Sequence, residues 1–252
     1  MSFNVPASAY DQYMGRYSGP LAPLFADFAG VANGQRALDV GCGPGALIVE
    51  LVRRLEAAGV SAVDPSEPFV AAAQARYPAV DVRLAAAEDL PFADRTFDTA
   101  LAQLVVHFMA DPVEGLREMR RVTIGGGVVA ACVWDHEGGN GPLSPFWQAA
   151  RRLDPDIRGE SGLAGARKGH LAQLFDEAGL GGVEDSTLSI SVRHDTFDEW
   201  WEPFMLGVGP AGKYTADLDT AQQIRLRELC RTMLPTAPFS LNARAWAARG
   251  IA

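Results

Sequence analysis

The chain has 252 residues, 48% of them hydrophobic, with 31 acidic against 22 basic side chains and a formal charge of −9. That is enough apolar material to bury a full core in one α/β domain with an elaboration, and too much for a disordered chain. The negative field, at a sequence pI of about 4.9, repels phosphate backbones and anionic lipid, so neither nucleic acid nor a membrane is expected as a partner.

Near the N-terminus, Tyr10, Tyr13, Met14 and Tyr17 recur at helical intervals and predict a helix. From Arg36 to Trp134 short apolar runs alternate with helix-period segments, which predicts βαβ units on a mostly parallel sheet. Strands are expected at 37–40, 61–64, 82–85, 97–103 and 127–134, with helices over 66–76 (N-cap Ser66) and 111–122 (N-cap Asp111, with Pro112 at the first helical position). Segment 138–165 is rich in glycine and proline and reads as a loop crossing the open end of the sheet. After it, 168–178 reads as an amphipathic helix ended by Gly179, while 183–193 and 240–248 read as the last two strands. The stretch between those strands is largely helical, with Phe197, Trp200, Trp201, Phe204 and Met205 on one face. Such a face either roofs a pocket for an apolar or planar ligand or pins the insertion onto the sheet.

Ligand chemistry concentrates at Leu38 to Gly45, where a strand runs into three alternating glycines, Gly41, Gly43 and Gly45. Glycine lets backbone come within contact distance of a ligand, and the helix that follows offers free N–H groups. Gly41, Gly43 and Ala46 also satisfy the looser G-x-G-x-x-G/A dinucleotide fingerprint, so the glycines alone leave a nicotinamide or flavin cofactor open. Asp39, two residues before the first glycine, is a poor neighbour for a phosphate and a good one for a cation. S-adenosylmethionine carries an ammonium and a sulfonium and no phosphate. Asp64 ends the second predicted strand 23 residues past Gly41, near the spacing of about 20 expected for a carboxylate that accepts ribose hydroxyls.

These residues resemble motif I of the class I S-adenosylmethionine-dependent methyltransferases. Ala87-Glu88-Asp89-Leu90-Pro91-Phe92 followed by Phe97-Asp98-Thr99 is similar to the branch related to ubiquinone and menaquinone biosynthesis methyltransferases. The resemblance implies a Rossmann-like, open, mostly parallel seven-stranded sheet with helices on both faces. It divides the chain into a lid segment (1–30), a core (31–195 and 236–252) and a helical cap (196–235) inserted between the last two strands. S-adenosyl-L-methionine would be held by Tyr13 and Arg16 of the lid, Arg16 on the methionine carboxylate. Asp39, Gly41, Gly43, Gly45, Asp64, Pro65 and the Gln103 carbonyl would hold it from the sheet. That branch often places Gly-Asp before the Ala-Glu pair, its Asp holding the adenine; here Ala85 and Ala86 stand instead, leaving the Ala87 N–H and Glu88 for that contact.

His107, just past the fourth strand, is the first candidate base, and His136, past the fifth, the second. Each is also readable as a packed core histidine. The acceptor is expected to be a small molecule. The competing readings are an NAD(P)-dependent oxidoreductase and an S-adenosylmethionine-binding protein without transfer activity. Oligomeric state is undetermined, a homodimer being the assembly entertained. Cys42, Cys132 and Cys230 lie far apart with no C-x-x-C pair, which predicts neither a disulfide framework nor a metal site and fits a cytoplasmic setting. No run reaches the roughly 18 apolar residues needed to cross a bilayer, and no leader-like stretch opens the chain.

Overall fold

The computed structural model describes residues 5–252; the first four residues of the expected lid segment lie outside that range. A broken helix comes first: one turn, α1 (Ala7–Tyr10), a π-helical stretch over Asp11–Gly15, and α2 (Arg16–Ala29). β1 (Ala37–Val40), α3 (Ala46–Leu55), β2 (Val60–Asp64), α4 (Glu67–Arg76) and β3 (Asp81–Leu84) follow in alternation. β4 (Phe97–Gln103), α5 (Pro112–Val122) and β5 (Thr123–Trp134) complete the parallel part, and α6 (Ser144–Leu153) and α7 (His170–Glu177) lead to β6 (Gly181–His194). The insertion holds α8 (Phe197–Trp201), a 3₁₀ stretch over Glu202–Leu206, α9 (Gly209–Asp217) and α10 (Thr220–Met233), after which β7 (Phe239–Ile251) closes the chain.

One seven-stranded sheet results, ordered β3-β2-β1-β4-β5-β7-β6. Every pairing from β3 to β5 is parallel, while β7 runs antiparallel to both β5 and β6, so the sheet is mixed rather than wholly parallel. Strand periodicity sends alternate residues to opposite faces. Ala37, Leu101, Cys132 and Trp134 pack with α2, α3 and the insertion, whereas Leu38, Val40, Val129 and Val133 pack with α5 and α7. Asp39 alternates with Leu38 and Val40, and so faces the α2 side.

Several expectations are revised by packing. Segment 138–165 contains α6, whose Phe146, Trp147, Ala149 and Ala150 are buried; burial of that apolar stripe overrides the local glycine and proline signal. β5 starts four residues early because Thr123 pairs with Phe97 before the register jumps, Thr99 then pairing with Val128. Asp111 caps α5 as expected, accepting the Val113 and Glu114 N–H groups at 3.1 and 3.0 Å. Ser66 stands at the N-cap of α4 without a side-chain cap bond. In the insertion Phe197, Trp200, Trp201 and Phe204 are buried, but Met205 is half exposed. The helix tightens to 3₁₀ at Glu202, and the shorter repeat turns Met205 off the apolar face.

Candidate active site

The strand order reverses between β1 and β4, the place where open α/β sheets bind ligands at the strands' carboxyl ends. A cavity of about 510 Å³ opens there. Gly41 and Gly43 line it from the loop after β1, Asp64 and Pro65 from the end of β2, Ala86 to Glu88 from beyond β3, and Leu104, Val105, Phe108 and Met109 from beyond β4. Tyr10 of the N-terminal helix stands over it, packed edge-on against Phe69 at 5.1 Å.

The three loop glycines do different work. Gly41 has φ +73°, and a Cβ placed there would overlap the Val105 side chain, so its side-chain absence lets the loop after β4 close down. Gly45 has φ +104° at the N-cap of α3, where a Cβ would overlap Tyr77. A Cβ on Gly43 would meet only Tyr10, at 3.8 Å, so the backbone of Gly43 is the part of the loop left bare for a ligand.

Asp64 Oδ2 accepts the Gly43 N–H and Oδ1 the Ser66 N–H, both at 2.8 Å. Each carboxylate oxygen keeps a second lone pair, so the acid both holds the glycine loop and faces the cavity with acceptor capacity left. Burial lifts its pKa above the ordinary carboxylate range, against the lowering effect of those two N–H donors. Asp39 does not cap the loop: it is 1% exposed, and its Oδ2 is buried without any hydrogen-bond partner. Burial, with the Asp64 charge adding to it, raises the Asp39 pKa well above the ordinary value. Asp39 does not itself line the cavity, but its charge reaches Tyr10 and Asp64, which do, and a buried carboxylate oxygen left unpaired behind that wall matches a cationic ligand group. The bare Gly43 backbone, the Asp64 acceptors and this orphaned oxygen together fit S-adenosylmethionine.

A proton linkage follows. Because folded Asp39 keeps its proton to higher pH than the unfolded chain does, its contribution to stability declines as pH climbs from the ordinary aspartate value through the raised one. A ligand ammonium nearby acts in the opposite sense and drives the proton off. Donor affinity is therefore expected to rise with pH over that interval, with net proton release on binding. Calorimetric titration in two buffers of different ionisation enthalpy measures it; identical apparent enthalpies would remove Asp39 from the cation site, and Asp39→Asn should abolish most of the difference.

The remaining sequence candidates are distributed unevenly. Glu88 lines the cavity, and its Oε1 accepts the Ala110 and Asp111 N–H groups at 2.7 and 3.1 Å, tying the loop after β4 to the rim. Ala87 lines the same wall. Gln103 ends β4, its Nε2 donating to the Ser18 carbonyl at 3.0 Å while Oε1 stays unpaired. Arg16 is carried elsewhere: its Nη1 donates to the Glu199 carbonyl at 2.9 Å and meets His194 Nδ1 at 3.2 Å. The acidic partner it finds is thus Glu199 of the insertion, 3.8 Å away, and it does not line the cavity. Tyr17 joins the same network through Oη, 3.2 Å from His194 Nε2. Asp11 pairs with Arg76, whose Nη1 also donates to the Pro44 carbonyl at 3.1 Å, latching the N-terminal helix to the glycine loop.

A second, smaller cavity of about 20 Å³ lies behind Tyr10, Leu104 and Phe108, the three residues it shares with the first. Tyr13, His107, Trp134, His136 and Glu160 line it. Four polar atoms around it are buried and unpaired: Tyr13 Oη, His107 Nδ1, Trp134 Nε1 and His136 Nε2. The two imidazoles stand 5.8 Å apart, centre to centre. Burial lowers the pKa of both, that of His107 the more strongly, while Glu160 and Asp135 partly offset the effect at His136. Asp135, which precedes His136, is fixed by Asn140 Nδ2 at 2.8 Å and by the Arg244 guanidinium. Sequence reasoning missed Glu160, because it lies in the glycine-rich stretch read as loop, and gave no site role to Tyr10 or Trp134.

The sheet order, the crevice at its reversal and the fit of its residues to S-adenosylmethionine define a donor-binding α/β domain of the methyltransferase class. Residues 38–131 match the family model described as a methyltransferase domain. An uncharacterised protein of Mycobacterium tuberculosis is 34% identical over 232 residues, covering 85% of this chain and 81% of that protein. A malonyl-[acyl-carrier protein] O-methyltransferase of Erwinia billingiae is 36% identical over 132 residues, which is 51% of this chain but only half of that enzyme. Among solved structures, a methyltransferase-like protein of Bacillus halodurans superposes with a TM-score of 0.59 at 16% identity, over 91% of this chain and 97% of that one. The chain belongs to the S-adenosylmethionine-dependent methyltransferases. Its donor is S-adenosylmethionine, and the dinucleotide-dependent alternative is not favoured. Among the described residues no helix is long and apolar enough to cross a membrane, and no cluster of three or more ligating side chains offers a metal site.

Proposed function

We propose that the protein methylates a small-molecule acceptor whose reacting group is held in the smaller cavity, with the donor in the larger one. The observation carrying this reading is the shared wall: Tyr10, Leu104 and Phe108 border both spaces, so a group in the small cavity lies next to a ligand in the large one. Bound there, the donor supplies an electrophilic methyl on a sulfonium. The Asp39 charge would offset its cationic end, Asp64 would accept from its ribose, and Ala87 with Glu88 would border the adenine. Tyr10 and Tyr13 close over the site from the N-terminal helix and exclude water, the role expected of a lid.

His136 is the better base. It is neutral at physiological pH, and the nearby acids Glu160 and Asp135 leave it more basic than His107. His136→Phe should lower kcat by roughly 10²- to 10⁴-fold, the usual contribution of a positioned base, with donor affinity unchanged. Because burial lowers the His136 pKa, the wild-type rate should hold until pH drops below the ordinary histidine value and then fall as the imidazole protonates. A variant retaining full kcat would reduce His136 to packing. For the reading as a whole, separate titrations of S-adenosylmethionine, S-adenosylhomocysteine and NAD, followed by an acceptor screen monitored through S-adenosylhomocysteine release, give the test. Binding of NAD alone would overturn it.

A further inference from the structure

The small cavity carries more chemistry than a base. Glu160 is 3% exposed, yet the one hydrogen bond its carboxylate accepts among the described residues comes from the Trp147 indole N–H at 2.8 Å, and no lysine or arginine pairs with it. A buried carboxylate with a single neutral donor is costly unless a cation completes it. Around it stand aromatic walls, Tyr13, Phe108 and Trp134, together with the unpaired Tyr13 Oη and the imidazole nitrogens of His107 and His136. A carboxylate, aromatic faces and three acceptor-capable atoms around one small cavity, against a single lone donor in the Trp134 indole N–H, describe a receptor for an ammonium group. The size agrees: about 20 Å³ holds a group the size of one water molecule, which is also the size of an ammonium head. An anionic acceptor would meet like-charge repulsion from Glu160, and the chain's overall charge of −9 favours the approach of cations.

We propose that the acceptor is an amine, anchored through its ammonium group by Glu160 and deprotonated at His136. This rests on the methyltransferase reading above and names its substrate class. The ammonium gives one proton to the neutral His136 imidazole. The freed nitrogen lone pair then forms the N–C bond to the donor methyl as the C–S bond breaks, its electron pair staying on sulfur. The products are a methylated ammonium, still paired with Glu160, and S-adenosylhomocysteine; His136 returns its proton to water, so one proton is released per turnover. The body of the acceptor needs more space than about 20 Å³, so under this proposal the Tyr13 helix and the Gly209–Pro210 corner of the insertion, which line the cavity, part to admit it.

The experiment uses the whole protein saturated with S-adenosylhomocysteine, titrated calorimetrically with phenethylamine, tryptamine and histamine, and with the shape-matched 2-phenylethanol and 3-phenylpropanoate. The same compounds are offered as acceptors with methyl-labelled S-adenosylmethionine. Amines are expected to bind and take label, the carboxylate to do neither, and the alcohol to bind at least tenfold more weakly than its amine. Glu160→Gln keeps an acceptor for the Trp147 N–H, so donor affinity should persist while amine affinity drops at least tenfold. Equal use of the alcohol or carboxylate, or failure of every amine to bind the wild-type complex, would overturn the proposal, as would unchanged amine affinity in Glu160→Gln. The wild-type measurements stand even if the variant does not fold. Donor binding separates the two levels: a protein that binds S-adenosylmethionine but methylates only non-amines loses the amine assignment alone, and one that binds no donor loses the methyltransferase reading itself.

Discussion

Gly41→Ala is expected to destabilise the fold by about 2–5 kcal/mol. Two costs combine: an alanine at φ +73° is strained by roughly 1–2 kcal/mol, and its methyl overlaps Val105, adding about 1–3 kcal/mol of overpacking. For a domain of this size the melting temperature should fall by roughly 5–15 °C. Adding Val105→Ala should relieve the overlap and leave the backbone strain, recovering part of the loss. Gly43→Ala is the informative comparison, since its methyl meets only Tyr10 at an ordinary 3.8 Å. That variant should lose less stability than Gly41→Ala but more donor affinity, because the added methyl covers backbone on the cavity wall. Thermal melts with donor titrations on both variants check the ordering; equal melting temperatures would mean that the loop after β4 does not depend on Gly41.

Asp64→Ala should weaken S-adenosylmethionine by ~1–3 kcal/mol, or roughly 5- to 150-fold in Kd, the scale for unpairing buried polar groups. The glycine loop loses an acceptor, since the Gly43 N–H now ends on Asp64 Oδ2, and under the proposed donor placement the ribose hydroxyls lose one too. Asp64→Asn keeps the shape and some acceptor capacity without the charge, and should fall between. Titration with S-adenosylmethionine and S-adenosylhomocysteine in parallel is the measurement. An Ala variant with wild-type affinity for both would show that Asp64 serves the loop alone.

Several residues named from the primary structure, among them Gly41, Gly43, Asp64 and Glu88, meet on one cavity wall, because their signals are local. A strand, a glycine turn and a helix start must be contiguous for the N–H groups to converge, and an acid at the tip of the next parallel strand must follow at βαβ spacing. The acceptor side was only partly legible. His107 and His136 could be named as candidates, but Glu160 lies on a segment whose glycines mask the burial of α6, and its place beside them depends on contacts far apart along the chain. Arg16 shows the converse: its position on a helix near the cofactor loop was correctly read, yet its direction was set by Glu199 and His194, which no local pattern connects to it.

By itself, the amino-acid order determined the alternation of strands and helices, the glycine cradle and the two acids that flank it, since hydrophobic period and backbone freedom act over a few residues. Tertiary structure alone decided that β7 enters antiparallel between β5 and β6, and that a Cβ would collide with a neighbour at Gly41 and Gly45 but not at Gly43. It also decided that Glu160, Tyr13, His107 and His136 line one small cavity. Those outcomes depend on which distant surfaces bury each other, a choice made by the free energy of the whole core and written in no single stretch of chain.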